Sequence, residues 1–125
     1  MSNPVLAALQ ERRSIRKYTD REVTREEITA MLEAGRWAPS GKNNQPFRFL
    51  AIRRNDPRIA RLADCTIYSH IVHNAALMIG VFLDKNCLYH ELKDHQSVGG
   101  CIQNIMLAAH SLGLGSVWLG QMMNN

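Results

Sequence analysis

The chain has 125 residues and a mass of 14.1 kDa, which suits one domain with one core and not two ordinary domains. Hydrophobic residues make up 46% and charged residues 21%, so the composition is that of a folded chain and not a disordered one. The net charge of +4 favours anionic ligands such as phosphates, and it is too small to require nucleic acid as a partner.

The cysteine content and the N-terminus indicate the compartment. Three cysteines, an odd number without paired spacing, argue for reducing surroundings. Met1-Ser2-Asn3-Pro4 has neither the basic nor the apolar region of a secretory signal. The longest mostly apolar stretch, Ala75 to Leu83, is about half the roughly 20 residues that a membrane helix needs. We therefore expect a cytoplasmic protein without a membrane partner.

A first helix is predicted from Pro4 to about Glu11, with Asn3 as its N-cap. A basic segment, Arg12-Arg13-Ser14-Ile15-Arg16, follows it. Guanidinium groups match phosphate oxygens in bidentate fashion, and the Ser14 hydroxyl adds a donor, so this segment suits a phosphate. The residue types alone slightly favour the other interpretation, a solvated basic helix end.

A second helix is predicted from the capping box of Thr24 and Glu27 to near Trp37. The polar loop Pro39–Pro46 follows. Its amide side chains carry donors and acceptors that can pair with the mixed edge of a heterocycle, and Gly41 is free to adopt positive φ. On composition alone, a polar surface turn is the more common meaning of such a stretch.

The remaining elements mix strands and helices. Strands are predicted over 47–53, 75–83 and 116–119, with a short helix from 56 to about 63. A long helix is predicted from about Gln96 to Leu112, where apolar residues recur at spacings of three and four. The mixture indicates an α/β or α+β class.

The segment Gly113–Gly120 contains Gly-x-Gly but is not a dinucleotide-binding fingerprint, because Trp118 takes the place of the third glycine and the glycines follow a helix. No strong zinc spacing relates Cys87, His90, His95 and Cys101. No cysteine is flanked by the basic residues that would activate it as a nucleophile. We therefore predict no metal site and no catalytic side chain.

Three of these segments resemble the nitroreductase family, the FMN-dependent NAD(P)H oxidoreductases. The motifs are Arg12–Tyr18, Ala38–Phe47, and the run from Gln103 to Gly120 with Gly-Leu-Gly at 113–115. Each motif alone is weak, whereas three in order and at fitting separations are fairly specific. The match spans nearly the whole chain.

The resemblance implies an α+β fold in which a central, mostly antiparallel sheet is flanked by helices as a three-layer sandwich. It implies a single FMN-binding domain over residues 1–125 and a homodimer with FMN at the interface. Gly99 and Gly100 are small enough to let the central helices of such a dimer approach closely. The family pattern continues beyond this point with a further strand and a C-terminal segment, so we expect the chain to lack them.

The resemblance also assigns the cofactor-binding residues. Arg12 and Arg16 would pair with the flavin phosphate, with Arg13 and Ser14 beside them. The residues approaching the isoalloxazine, from the partner subunit, would be Ser40, Asn43 and Gln45. The residues lying along the ring, mostly through their backbone, would be Trp118, Leu119 and Gly120.

The implied activity is FMN-dependent reduction of nitroaromatics, quinones or similar electron-poor organics by NADH or NADPH, with ping-pong kinetics at one shared site. The protein would stack the ring and place positive charge near the reduced flavin, without a side-chain acid or nucleophile. The alternative is a flavin-binding or dimerisation module without turnover, which the expected C-terminal shortening favours. A nucleic-acid-binding helix-turn-helix is disfavoured, because its recognition helix would begin poorly at Pro39-Ser40-Gly41.

Overall fold

The computed structural model describes residues 3–120. The elements in chain order are α1 (Pro4–Glu11), α2 (Arg25–Arg36), β1 (Phe47–Arg53), α3 (Arg58–Ala63), α4 (Ser69–Asn74), β2 (Leu77–Leu83) and α5 (Glu91–Ser111). Single 3-10 turns lie at Gly41–Asn43 and Lys85–Cys87. The α+β class is confirmed. None of the helices in the described range is long and apolar enough to cross a membrane.

Both N-terminal helices begin at side-chain caps. The Asn3 Oδ1 accepts the Val5 N–H at 2.8 Å, and Pro4 occupies the first turn, where its missing N–H costs little. The Thr24 hydroxyl accepts the Glu27 N–H at 3.1 Å, and the Glu27 carboxylate accepts the Thr24 N–H at 2.9 Å. Both predicted helices are therefore confirmed, and α2 ends at Arg36 as expected.

β1 and β2 pair antiparallel, with Phe47 opposite Leu83. Within residues 3–120 the sheet has these two strands. The strand predicted over 116–119 is wrong, because that segment contributes a single parallel bridge between Ser14 and Ser116. It has no neighbouring strand among the described residues on which a longer ladder could form.

The helix α5 is the packing partner of both α2 and the sheet. A side chain at Gly35 of α2 would place its Cβ 3.0 Å from Ile105, and the Asn104 amide donates to the Ala34 carbonyl at 3.1 Å. Small residues on α2 therefore let the two helices approach closely. The main core cluster comprises Val23, Met31, Ala38, Phe47, Cys101, Ile105 and Ala109. A second cluster beside α3 and α4 comprises Ile52, Ile59, Ala63 and Val72.

Two element starts differ from the sequence prediction, and one helix is additional to it. α5 begins at Glu91 and not near Gln96, because its first turn is polar and lacks the apolar periodicity that marked the rest. β2 begins at Leu77 and not at Ala75. The short helix α4 was not predicted, since its six residues are too few to display a periodic apolar face.

Candidate functional site

The basic segment after α1 is extended and lies beside the segment that follows α5. The Ile15 N–H donates to the Ser116 carbonyl at 2.9 Å. Gly115 permits this approach, because a Cβ there would lie 2.8 Å from the Cγ2 of Ile15. The fold thus brings together two of the three predicted motifs, through a backbone contact that the residue types did not reveal.

An extended backbone brings Ser14 to the same side of this segment as Arg12 and Arg16. Arg12 already has extended backbone angles, with φ −60° and ψ 134°, and Ser14 forms the bridge to Ser116. Alternate side chains of an extended segment point the same way. Arg12, Ser14 and Arg16 therefore share a side, whereas in a helical segment Arg12 and Arg16 would share a side and Ser14 would point away from them.

The three guanidinium groups differ in their contacts. The Arg13 Nη1 donates to the Gln10 and Arg12 carbonyls, which holds this cation against the end of α1. The Arg12 Nε is buried without a hydrogen-bond partner among the described residues. Arg16 is exposed, and no carboxylate pairs with it within residues 3–120. Arg12 and Arg16 form no ion pair with a carboxylate among the described residues, so both charges can attract an anion.

Tyr18 secures the end of the basic segment. Its hydroxyl donates to the Ile15 carbonyl at 2.6 Å. Burial raises the pKa of Tyr18 above its usual value, and the charge of Arg16 acts in the opposite direction. The hydroxyl therefore keeps its proton at neutral pH and remains a donor.

The loop Pro39–Pro46 folds into a tight turn. The Ser40 hydroxyl accepts the Gln45 N–H at 2.9 Å and closes it. Lys42, Asn43 and Gln45 have φ values of 53°, 56° and 52°. Left-handed backbone costs such residues roughly 1–2 kcal/mol each, and it persists where surrounding contacts enforce it.

Gly41 serves this turn through its small size. It does not use the positive φ that it is free to adopt, since Gly113 is the only glycine of the described range in that region. A Cβ at Gly41 would instead overlap the Cδ2 of Tyr89, so the glycine makes room for an aromatic ring. Sequence reasoning missed Tyr89, because no local pattern links an aromatic residue before α5 to a distant turn.

The segment after Ser116 places its large side chains on the chain's own surface. The ring of Trp118, half exposed, comes within 3.6 Å of the position of a Cβ at Gly99, and Leu119 packs on the second core cluster. Gly120 is exposed at the end of the described range. Nothing within residues 3–120 approaches the corresponding position at Gly100 within 4 Å. Gly99 thus faces Trp118, and the predicted dimer contact of the two glycines stays a prediction.

The predicted site residues therefore form two groups within one chain. The basic segment lies at the C-terminal end of α5, beside Ser116. The turn lies at the other end, where Ser40, Gly41, Lys93 and Gly100 line a shallow groove. No hydrogen bond or ion pair joins the two groups among the residues that the structure describes.

The cysteines and histidines near α5 have local partners. The His90 ring accepts the Lys93 N–H at 3.4 Å as the N-cap of α5, and the His95 ring lies 2.7 Å from the Glu91 carbonyl. Cys101 is fully buried, which raises the pKa of its thiol to about 11. Across residues 3–120 no three His, Cys, Asp or Glu side chains group as metal ligands would.

The architecture is similar to solved structures of nitroreductases and related oxidoreductases. It superposes with a TM-score of 0.96 on a provisionally named nitroreductase from Desulfovibrio desulfuricans, solved in complex with FMN, at 56% identity over 98% of this chain and 71% of that one. It also matches the NADPH:FMN oxidoreductase of Vibrio harveyi, solved with NAD+, at 26% identity and a TM-score of 0.85, over 96% and 57% of the two chains.

Sequence comparison agrees with the structural one. The profile described as the nitroreductase family matches residues 9–67 and 57–125. A relative from Methanothermobacter thermautotrophicus, provisionally named NADH dehydrogenase/NAD(P)H nitroreductase, is 40% identical over 116 residues, which cover 93% of this chain and 60% of the relative. The chain belongs to the nitroreductase family, which confirms the resemblance, and it spans about 60% of the length of that relative.

Proposed function

We propose that this protein is an FMN-dependent NAD(P)H oxidoreductase. The observation that carries the proposal is the pair of cations Arg12 and Arg16, which form no ion pair with a carboxylate among the described residues and lie in the segment that meets Ser116. A charge-assisted hydrogen bond from either guanidinium group to a phosphate oxygen would contribute about 1.5–3 kcal/mol. The FMN and NAD+ complexes of its structural relatives agree with this assignment.

The phosphate end of FMN fits the cationic side of the basic segment. Arg12 and Arg16 supply two guanidinium groups without carboxylate partners in residues 3–120, and Ser14 adds a hydroxyl. The Arg13 guanidinium is held against the end of α1. We therefore propose that Arg13 attracts the phosphate through its charge and does not contact it. The ring would lie along Trp118, Leu119 and Gly120.

The turn at Ser40–Gln45 would complete the site from a second copy of the chain. Within one chain this turn and the basic segment lie near opposite ends of α5, so a homodimer is the arrangement that could unite them. Ser40, Asn43 and Gln45 would then approach the isoalloxazine. Exposed aromatic side chains at Trp37 and Trp118 are consistent with a surface that a second copy covers.

Bound FMN would supply hydride acceptance from NADH or NADPH and electron delivery to a small electron-poor acceptor such as a quinone or nitroaromatic. The protein's own part is to hold the phosphate, to orient the ring and to place cationic charge near it. Ping-pong kinetics, a single domain over residues 1–125 and a cytoplasmic location belong to the same proposal.

An anaerobic titration tests this function. The chain is reconstituted with FMN, freed of excess cofactor, and titrated with NADH and with NADPH while the visible flavin absorbance is followed. We expect a yellow protein that is bleached by about one equivalent of reductant and regains its colour when a quinone is added.

Two other results would point elsewhere. A yellow protein that neither nucleotide bleaches would favour a flavin-binding or dimerisation module without turnover. A colourless protein that also fails to bind added FMN would refute flavin binding by this chain.

A further inference from the structure

The ring of Tyr89 lies directly against the turn at Ser40–Gln45. It occupies the space that a side chain at Gly41 would need, since a Cβ there would overlap the ring. The backbone of Gly41 is outside the left-handed region. Space, and not backbone conformation, therefore excludes a side chain at this position.

Two ammonium groups flank the same ring. The Lys42 Nζ, from the turn, lies 5.1 Å from the centroid of Tyr89, and the Lys93 Nζ, from the first turn of α5, lies 5.4 Å from it. Both distances are within the range of cation–π attraction. Tyr89 thus links the turn to α5 through contacts on Gly41, Lys42 and Lys93.

Asp94 anchors the backbone of Tyr89 to α5. Its carboxylate is only 1% exposed, and its Oδ2 accepts the N–H groups of Tyr89 at 2.8 Å and of His90 at 2.9 Å. A carboxylate in the first turn of a helix is also favoured by the helix dipole. The backbone that carries the ring is therefore fixed to the first turn of α5.

We propose that Tyr89 is a positioning residue that sets the conformation of the Ser40–Gln45 turn and, through it, the affinity for FMN. The inference rests on the proposed function. The turn contains three non-glycine residues with positive φ, and such backbone needs enforcing contacts. Inside the turn, the Ser40 hydroxyl and backbone hydrogen bonds close it. From outside, Arg48 donates to the Gln45 carbonyl at 3.2 Å, and the ring of Tyr89 packs on Gly41 and Lys42.

A double-mutant cycle tests the proposal in the full chain. Gly41→Ala, Tyr89→Ala and the double variant are compared for FMN dissociation constant, for the visible spectrum of bound FMN and for Tm. Each single change is expected to weaken FMN binding about tenfold or more. The double variant should bind FMN no more weakly than Tyr89→Ala, because the methyl group added by Gly41→Ala then meets no ring.

Three further variants separate positioning from folding. Tyr89→Phe keeps the ring, so it should retain the parental FMN affinity and the parental visible spectrum of bound FMN. Tyr89→Leu keeps apolar bulk without an aromatic face, and it serves where Tyr89→Ala fails to fold; it should bind FMN more weakly at a Tm near that of the parent. Leu88→Ala is the matched control, since Leu88 and Tyr89 are both 40% exposed, and it should bind FMN within about twofold of the parent.

The failures are distinguishable. The positioning role would be overturned if the double variant raised the FMN dissociation constant by the product of the two single effects. It would also be overturned if Tyr89→Leu bound FMN with the parental affinity. Either result would leave the proposed function standing. A parent chain that binds no FMN would overturn the proposed function and this inference with it.

Discussion

Replacing Arg16 by alanine should weaken FMN binding without affecting binding of riboflavin, which lacks the phosphate. No carboxylate pairs with Arg16 among residues 3–120, so its charge is not engaged by an internal ion pair. A hydrogen bond to a charged group contributes about 1.5–3 kcal/mol. That free energy corresponds to a rise in the FMN dissociation constant of about 10- to 150-fold.

Isothermal titration calorimetry with FMN and with riboflavin, at one ionic strength, measures the two dissociation constants. The difference between the two ligands isolates the contribution of the phosphate, because their rings are identical. For Arg16→Ala the two affinities should move towards each other, since only the FMN affinity falls.

Lys17→Ala is the matched control for Arg16→Ala. It removes the same charge one residue further along, on the other side of an extended segment. Screening at physiological ionic strength limits its long-range effect, and we expect a change in FMN affinity below about threefold. Unchanged FMN affinity in Arg16→Ala, or an equal loss for riboflavin, would refute the assignment of Arg16 to the phosphate.

The remaining predictions concern the framework around the site. Gly115→Ala should lower the free energy of unfolding by about 1–3 kcal/mol in urea titrations and weaken FMN binding, because its Cβ would lie 2.8 Å from Ile15. A variant with the parental free energy of unfolding would contradict the close approach. Arg54→Ala should lower the free energy of unfolding by about 1 kcal/mol, because its guanidinium donates to carbonyls on two separate segments. A urea midpoint equal to that of the parent would contradict this. Bonds from the side chain and backbone of Arg58 lower the pKa of Asp56 to about 2, below its ordinary 3.8. The stabilisation by Asp56 should therefore be present above about pH 4 and lost as the pH falls towards 2, so a stability difference from Asp56→Asn that persists at pH 2 would contradict it.

Local signals account for the parts of the fold that sequence analysis predicted. Asn3, Thr24 and Glu27 bond to backbone within a few residues of themselves, so their positions alone determine where α1 and α2 begin. Strand β1 is bounded by proline and polar residues and was predicted with its observed limits, Phe47–Arg53.

Contacts between distant segments account for the rest. Whether 116–119 is a strand depends on what lies beside it, and Ser116 meets only the short stretch at Ser14. The contact of Tyr89 with Gly41 joins two parts of the chain whose spacing carries no pattern. For the candidate site, the basic segment and the turn were identifiable as motifs, whereas their supports at Gly115 and Asp94 became visible only in three dimensions.

A crystal structure of the chain with bound FMN tests the proposed phosphate site most directly. We expect the phosphate within hydrogen-bonding distance of Arg12 and Arg16, on the side of the basic segment that meets Ser116. A phosphate bound elsewhere, with both guanidinium groups left in solvent, would contradict the proposed site.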